Sequence, residues 1–326
     1  MKKVLIAILL LGLLPHASAD YIHWVDFRLS APVLRSALEL DMASQGGEQP
    51  LDWIDILALA AAWRGGTGVT VADTQRAAQA LRGDTPPERL PGMAGRFFSY
   101  YRAAYGAALG GLVGHFAIRR TDPQTDEAEW IPAYGLKAFS PIAAGYPWSH
   151  YPDFGAQRSY GYARPHLGND ILGALGTPIC AVEGGTVEAL GWNRYGGWRI
   201  GIRSDDRKRY YYYAHLRKDT PYAEGLAVGQ RVQAGDVIGF MGRTGYSAQE
   251  NVNNIETVHL HFGLQLIFDE SQKECDSEIW IDVYPIIELL ASHCSSVARD
   301  PQTGRWERLY PYCDLDAEPL RSAAAR

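Results

Sequence analysis

The sequence predicts a multi-domain α+β chain with a mostly helical N-terminal region, an antiparallel all-β core domain and a short helical C-terminal extension. Three observations carry this. The 326 residues exceed what one small core needs. Apolar residues recur at helical spacing up to about residue 135. From about Tyr134 onward, short apolar runs alternate with glycine-rich turns. The expected division is 1–19 leader, 20–135 helical region, 136–159 linker, 160–270 β domain and 271–326 extension.

In the first region, Leu51 to Trp63 reads as a helix halted by Gly65-Gly66. A second helix spans about Val71 to Leu81, ending at Arg82-Gly83. A third covers Arg96 to Val113, weakened at its end by Gly110-Gly111. Its aromatics, Phe97, Phe98, Tyr100, Tyr101 and Tyr105, read as core. The expected strands are Ile179–Val182, Thr186–Ala189, Trp198–Arg203, Tyr210–Ala214, Val237–Met241 and His259–Leu266. Turns fall at Gly184-Gly185, Gly196-Gly197, Gly235-Asp236 and Gly242 to Gly245. Val283 to Leu290 reads as one further helix, and the tail beyond it carries no clear pattern.

Lys2 and Lys3, the apolar run Val4–Leu14, Pro15 and Ala17-Ser18-Ala19 have the form of a secretory leader cleaved after Ala19. The run is about half the roughly 20 residues that a helical span requires, so no stable membrane span is expected after cleavage; a retained anchor is the competing reading. No cysteine follows the run, which argues against a lipid anchor. Losing both lysines takes the formal charge from −6 to about −8. With no Lys/Arg block to neutralise phosphates, nucleic acid is excluded as the main partner. An exported location permits disulfides, and among Cys180, Cys275, Cys294 and Cys313 the pairing Cys294–Cys313 is the first to test. Cys180, between Ile179 and Val182, reads as a core thiol, and the spacing disfavours a cysteine zinc site.

The chemistry concentrates in the β domain, which holds His166, His215, His259 and His261 of the nine histidines. His259 and His261 flank Leu260 in a strand, so their imidazoles share one face. His166 and Asp170 enclose Leu167-Gly168-Asn169, a spacing at which a loop can aim both at one point. His215 ends the tyrosine strand, whose four tyrosines should face alternate sides. A catalytic zinc site takes three ligands of the His/Asp/Glu type and leaves a fourth position for water. Geometry alone does not choose between His259 and His261 as the third ligand. Each motif alone is weak evidence.

The order of motifs is more specific. His166-Leu167-Gly168-Asn169-Asp170 is followed by Gly176-Thr177-Pro178-Ile179, Gly184-Gly185-Thr186-Val187 and Tyr213-Ala214-His215-Leu216. Ala234-Gly235-Asp236-Val237-Ile238-Gly239, Gly242-Arg243-Thr244-Gly245 and His259-Leu260-His261-Phe262 come next. Residues about 160 to 268 thereby resemble the catalytic domain of the lysostaphin-type peptidoglycan endopeptidases. The resemblance implies one zinc ion per chain, held by His166, Asp170 and His261, with His215 and His259 assisting catalysis. All five positions are filled, unlike in the metal-free regulatory members.

One departure is the insertion Ser247–Thr257, which fits either a wall of the substrate groove or a plain surface loop. Tyr195 and Trp198 suit either the cleft or hairpin packing, with packing the better reading. His16, His23, His115, His150 and His293 receive no catalytic role. The resulting expectation is an exported zinc metalloendopeptidase, extracellular, periplasmic or wall-associated. It would hydrolyse peptide bonds of peptidoglycan by attack of zinc-bound water. The competing readings are a non-cutting envelope module that binds the wall or activates another hydrolase, and a peptidase acting on a protein.

Overall fold

The computed structural model describes residue 25 and residues 27–121, 128–160, 162–273 and 277–317. The leader, His23 and Cys275 lie outside them. Four helices open the chain: α1 (Ala31–Ser44), α2 (Trp53–Arg64), α3 (Val71–Leu81) and α4 (Met93–Leu109). The run Ile56–Ala62 of α2 is completely buried, as its almost uninterrupted apolar sequence requires. Asp52 caps α2 by accepting from Ile54 N, and Thr70 and Asp73 form a reciprocal capping box on α3. Helix α1 has no counterpart among the expected helices, because its inward stripe includes an acid. Buried Asp41 accepts hydrogen bonds from Trp53 N (2.9 Å) and Tyr134 OH (3.1 Å), joining α1 both to the start of α2 and to the chain around Tyr134.

Helix α4 stops at Leu109 rather than Val113, and Gly110 N donates to Gly106 O (3.0 Å). Two paired strands then follow rather than more helix: β1 (Val113–Thr121) pairs antiparallel with β2 (Ala128–Leu136). This pair gains a third strand from the far end of the chain, which sequence periodicity does not register.

The β domain follows as β3 (Trp148–His150), β4 (Gln157–Tyr160), β5 (Tyr162–Pro165), β6 (Asn169–Gly173), β7 (Pro178–Cys180), β8 (Gly185–Asn193), β9 (Gly197–Ser204), β10 (Arg209–Ala214), β11 (Arg231–Val232), β12 (Val237–Phe240), β13 (His259–Leu266) and β14 (Ile279–Trp280). An eight-stranded antiparallel sheet runs β11-β8-β9-β10-β13-β6-β3, with β14 on β13. Ribbons β4–β5 and β7–β12 lie beside it. The expected strands are all present, and β3 to β6, β11 and β14 are additional.

After α5 (Tyr284–Leu290) come β15 (Val297–Arg299), β16 (Trp306–Arg308) and β17 (Tyr312–Asp314). The extension is therefore one helix plus strands. Strand β17 pairs with β1, and Lys137 Nζ donates to both Asp314 oxygens (3.0 Å) and to Asp316 (2.9 Å), which ties the tail to the β1–β2 pair. The Cys294–Cys313 disulfide does not form: the Cys294 thiol donates to Ala291 O (3.3 Å), and buried Cys313 is a thiol inside β17. Cys180 is a fully buried core thiol, as expected. Among the described residues no helix is long and apolar enough to cross a membrane.

The sheet has two different faces. Tyr211 and Tyr213 of β10 and Leu260, Phe262, Leu264 and Leu266 of β13 point into a core shared with the helices. Arg209, 1% exposed, joins the two layers. Its guanidinium donates to Glu183 through Nε (2.7 Å) and Nη2 (3.0 Å) and to Ala107 O at the end of α4 (2.8 Å). A cation here meets both a buried carboxylate and the negative end of the helix dipole. Gly111 admits the pair, since a Cβ there would lie 1.7 Å from Glu183 Oε1. Removing one member strands a buried charge, so Arg209→Met is expected to lose about 3–5 kcal/mol of stability in urea unfolding. The double change Arg209→Met with Glu183→Leu should lose less than Arg209→Met alone.

Candidate active site

The opposite face of the sheet forms the floor of an open cleft of about 900 Å³, lined by residues between Tyr151 and Trp280 and by none from α1–α4. Strand pairing assembles its centre. In the β6–β13 register Asp170 lies directly opposite His261, and in the β10–β13 register Ala214 lies opposite His261. The next residue, His215, therefore arrives beside the same point. His215 has φ 62°, a left-handed conformation that costs a non-glycine residue about 1–2 kcal/mol. Its N–H donates to Gly196 O (2.7 Å), which holds the turn. His166 enters from the loop ahead of β6. Gly168, in the same loop, makes room for His261, because a Cβ there would sit 2.7 Å from both His261 Cε1 and Phe262 O.

All five histidine and aspartate positions come together. His166 Nε2, Asp170 Oδ1 and His261 Nδ1 stand 2.8 to 3.1 Å from one another. Among the described residues they are the group placed to share a metal ion. Tetrahedral zinc bonds of about 2.0–2.1 Å set their donor atoms roughly 3.3–3.4 Å apart. Two imidazole nitrogens and one carboxylate oxygen, converging this closely from one side, fit zinc in both number and type.

The surroundings fix His166 and Asp170. His166 Nδ1 donates to Asp153, 3.2 Å from both its carboxylate Oδ2 and its main-chain oxygen, which directs Nε2 at the centre. Asn169 Nδ2 donates to Asp153 Oδ1 (3.0 Å), and Arg158 Nη2 spans Asp153 (2.8 Å) and Asp170 Oδ2 (3.1 Å). Burial opposes charge on His166, but the hydrogen bonds it donates to Asp153 and Asp170 outweigh it and push its pKa up to about 9 in the metal-free protein. Burial would likewise raise Asp170, yet His166 and His261 hold it well below the usual carboxylate range. The same negative field attracts a divalent cation.

The two remaining histidines share one arrangement. His215 Nδ1–H donates to Thr244 O and His259 Nδ1–H to Thr257 O, both at 2.9 Å, which puts the lone pair of the neutral ring on Nε2 in each. Their rings lie 4.8 Å apart, and His259 Nε2 is 3.7 Å from Asp170 Oδ1. Burial, and next the charges of His259 and His261, push the His215 pKa well below its ordinary value.

Alternation sorts the tyrosines as expected: Tyr210 and Tyr212 line the cleft, whereas Tyr211 and Tyr213 lie in the core. Tyr195 lines the cleft. Trp198 instead packs on Trp192 and Tyr222 and donates to Asn251 Oδ1 (2.8 Å). The insertion divides, with Asn254 to Thr257 forming cleft wall and Asn251 bonded to Asp219. His150 supports Asn169 (2.7 Å), while His115 and His293 stand outside the cleft. Asp153 and Arg158 were not legible in the sequence. Their spacing from His166 and Asp170 matches no motif, and only the fold of β4, which carries Arg158, and of the loop before it, which carries Asp153, brings them there.

Residues 164–274 match Peptidase family M23. An L-Ala–D-Glu endopeptidase of Bacillus subtilis is 40% identical over 130 residues, which is 40% of this chain and 38% of that protein. Lysostaphin of Staphylococcus staphylolyticus is 37% identical over 98 residues, 30% of this chain and 18% of the relative. The chain thus spans well under half the length of either. The solved catalytic domain of lysostaphin from Staphylococcus simulans is 29% identical, covering 44% of this chain and 92% of that one with a TM-score of 0.33. Carrying His166, Asp170, His215, His259 and His261 in one cleft, residues 164–274 of this chain are a domain of Peptidase family M23.

Proposed function

We propose that this chain is an exported zinc metalloendopeptidase that hydrolyses peptide bonds of peptidoglycan. The observation that carries the reading is the convergence of His166 Nε2, Asp170 Oδ1 and His261 Nδ1 within 3.1 Å of one another beside two further histidines in an open cleft. The wall as substrate rests on the relatives, one named for an L-Ala–D-Glu bond, and export rests on the leader-like first residues. In this reading residues 160–270 perform the chemistry. The helical region stabilises them from behind, in keeping with its packing on the face away from the cleft.

Zinc in this site supplies a Lewis acid that polarises the scissile carbonyl and lowers the pKa of a water ligand toward about 7. The protein's own groups divide the remaining work. His166, Asp170 and His261 present lone pairs to the ion. Asp153 and Arg158 keep the first two from rotating away. His215 is neutral near pH 7, so its Nε2 can accept a proton from the attacking water; once protonated, the same atom donates to the tetrahedral oxyanion. The departing amine must receive the proton that His215 takes from the water, and His259, its ring 4.8 Å from that of His215, is placed to take that proton up on Nε2 and pass it on.

Purified protein is expected to contain about one zinc per chain by elemental analysis, and Asp170→Ala or His261→Ala to lose both metal and dye release from labelled cell wall. Hydrolysis by metal-free Asp170→Ala protein would sink the reading. Asp153→Ala should keep the site but weaken zinc binding about 10–100-fold in a competition titration with a chromogenic chelator. His215→Ala and His259→Ala should retain zinc while dye release falls by roughly 10²–10⁴. Full retention of rate in either variant would remove that histidine from the mechanism. A non-cutting envelope module would release no dye with or without added zinc.

A further inference from the structure

The ribbon β4–β5 sets Arg158 directly opposite Arg164. Like charges across a two-stranded pair repel, so such a pairing persists where each charge has another use. For Arg158 that use is visible in its salt bridges to Asp153 and Asp170. Arg164 is different. Its guanidinium lies over the Tyr195 ring (4.5 Å) and the Tyr246 ring (5.7 Å), and Nη2 donates a long hydrogen bond to Tyr246 OH (3.4 Å). Among the described residues no carboxylate pairs with it. The two other acids lining the cleft, Glu256 and Glu278, are not its partners, and Glu278 instead accepts from Trp280 Nε1 (2.8 Å).

All three members of this cluster, Arg164, Tyr195 and Tyr246, line the same cleft as His166, Asp170 and His261. The aromatic faces hold the guanidinium plane and leave most of its donors unused. That fork matches a carboxylate bidentately, whereas stacked tyrosines satisfy only its face. Arg164 also precedes His166 by two residues of extended chain, which still pairs through His166 N to Ala156 O. Two extended residues cover about 6.5 Å, the length of two residues of a substrate peptide lying in the cleft.

We infer that Arg164 is a specificity-determining residue that receives a free carboxylate on the substrate peptide, within one or two residues of the scissile bond. The enzyme thus prefers acidic peptides over their amidated counterparts. This rests on the peptidase reading and adds the chemical class of its substrate.

The test compares peptidoglycan as isolated with the same material after its free carboxylates are converted to carboxamides by carbodiimide and ammonia. Dye release by the zinc-loaded wild-type chain, Arg164→Ala and Arg164→Lys is followed on both. The wild type is expected to cut the native wall about tenfold or more faster than the amidated one. In Arg164→Ala the two rates should become equal, and Arg164→Lys, which keeps the charge but not the fork, should fall between. Zinc content and the circular dichroism spectrum show that the variants are folded. Equal wild-type rates on both walls, or a preference that survives in Arg164→Ala, overturn the inference and leave the peptidase reading standing. No release from either wall by the wild type overturns that reading and the inference with it.

Discussion

The register of β13 between β6 and β10 is the constraint on which the site depends. Because side chains alternate across a strand, this register puts His259 and His261 on the cleft face and Leu260, Phe262, Leu264 and Leu266 in the core. The same register sets Asp170 and Ala214 on either side of His261. A slip of one residue would bury both imidazoles and expose the leucines, so core packing and site geometry are enforced together. The cluster of His166, Asp170 and His261 is held in place by the hydrophobic effect acting on the other face of the strand.

The helical region belongs to that other face. Arg209 lies on the core side of β10, as do Tyr211 and Tyr213, and it reaches both Glu183 and the last carbonyls of α4. A fully buried ion pair gives little net stability compared with apolar packing, but it is costly to mispair. Its value here is in fixing how the helices dock. The C-terminal strand β17 adds a second tie by closing onto β1 beside Lys137. Both ties lie away from the cleft, which stays open.

Around the candidate centre, charge is arranged in a chain. Asp153 orients His166, Arg158 bridges Asp153 and Asp170, and Asn169 supports Asp153 while being supported by His150. His215 and His259 use a different anchor, each donating Nδ1–H to a main-chain carbonyl. Carboxylate partners suit residues that must bind a cation, because they add negative potential. Carbonyl partners suit residues that exchange protons, because they fix the tautomer with less effect on the charge.

The sequence by itself determined the elements with strong local signals. The capped helices α2 and α3, the strands bearing alternating apolar residues, and the five polar residues of the cleft could all be read from it, as could the division of the tyrosines between two faces. It did not determine α1, whose inward stripe contains the buried Asp41, or the β1–β2 pair, which needs β17 from nearly 200 residues away. Nor did it reveal Asp153, Arg158 or the clamp on Arg164, and it suggested a Cys294–Cys313 bond that does not form. Periodicity and motif spacing are properties of neighbouring residues, so they report what is local. Which charges meet, and which cysteines do not, is decided by contacts between distant segments, and only the packed structure brings those together.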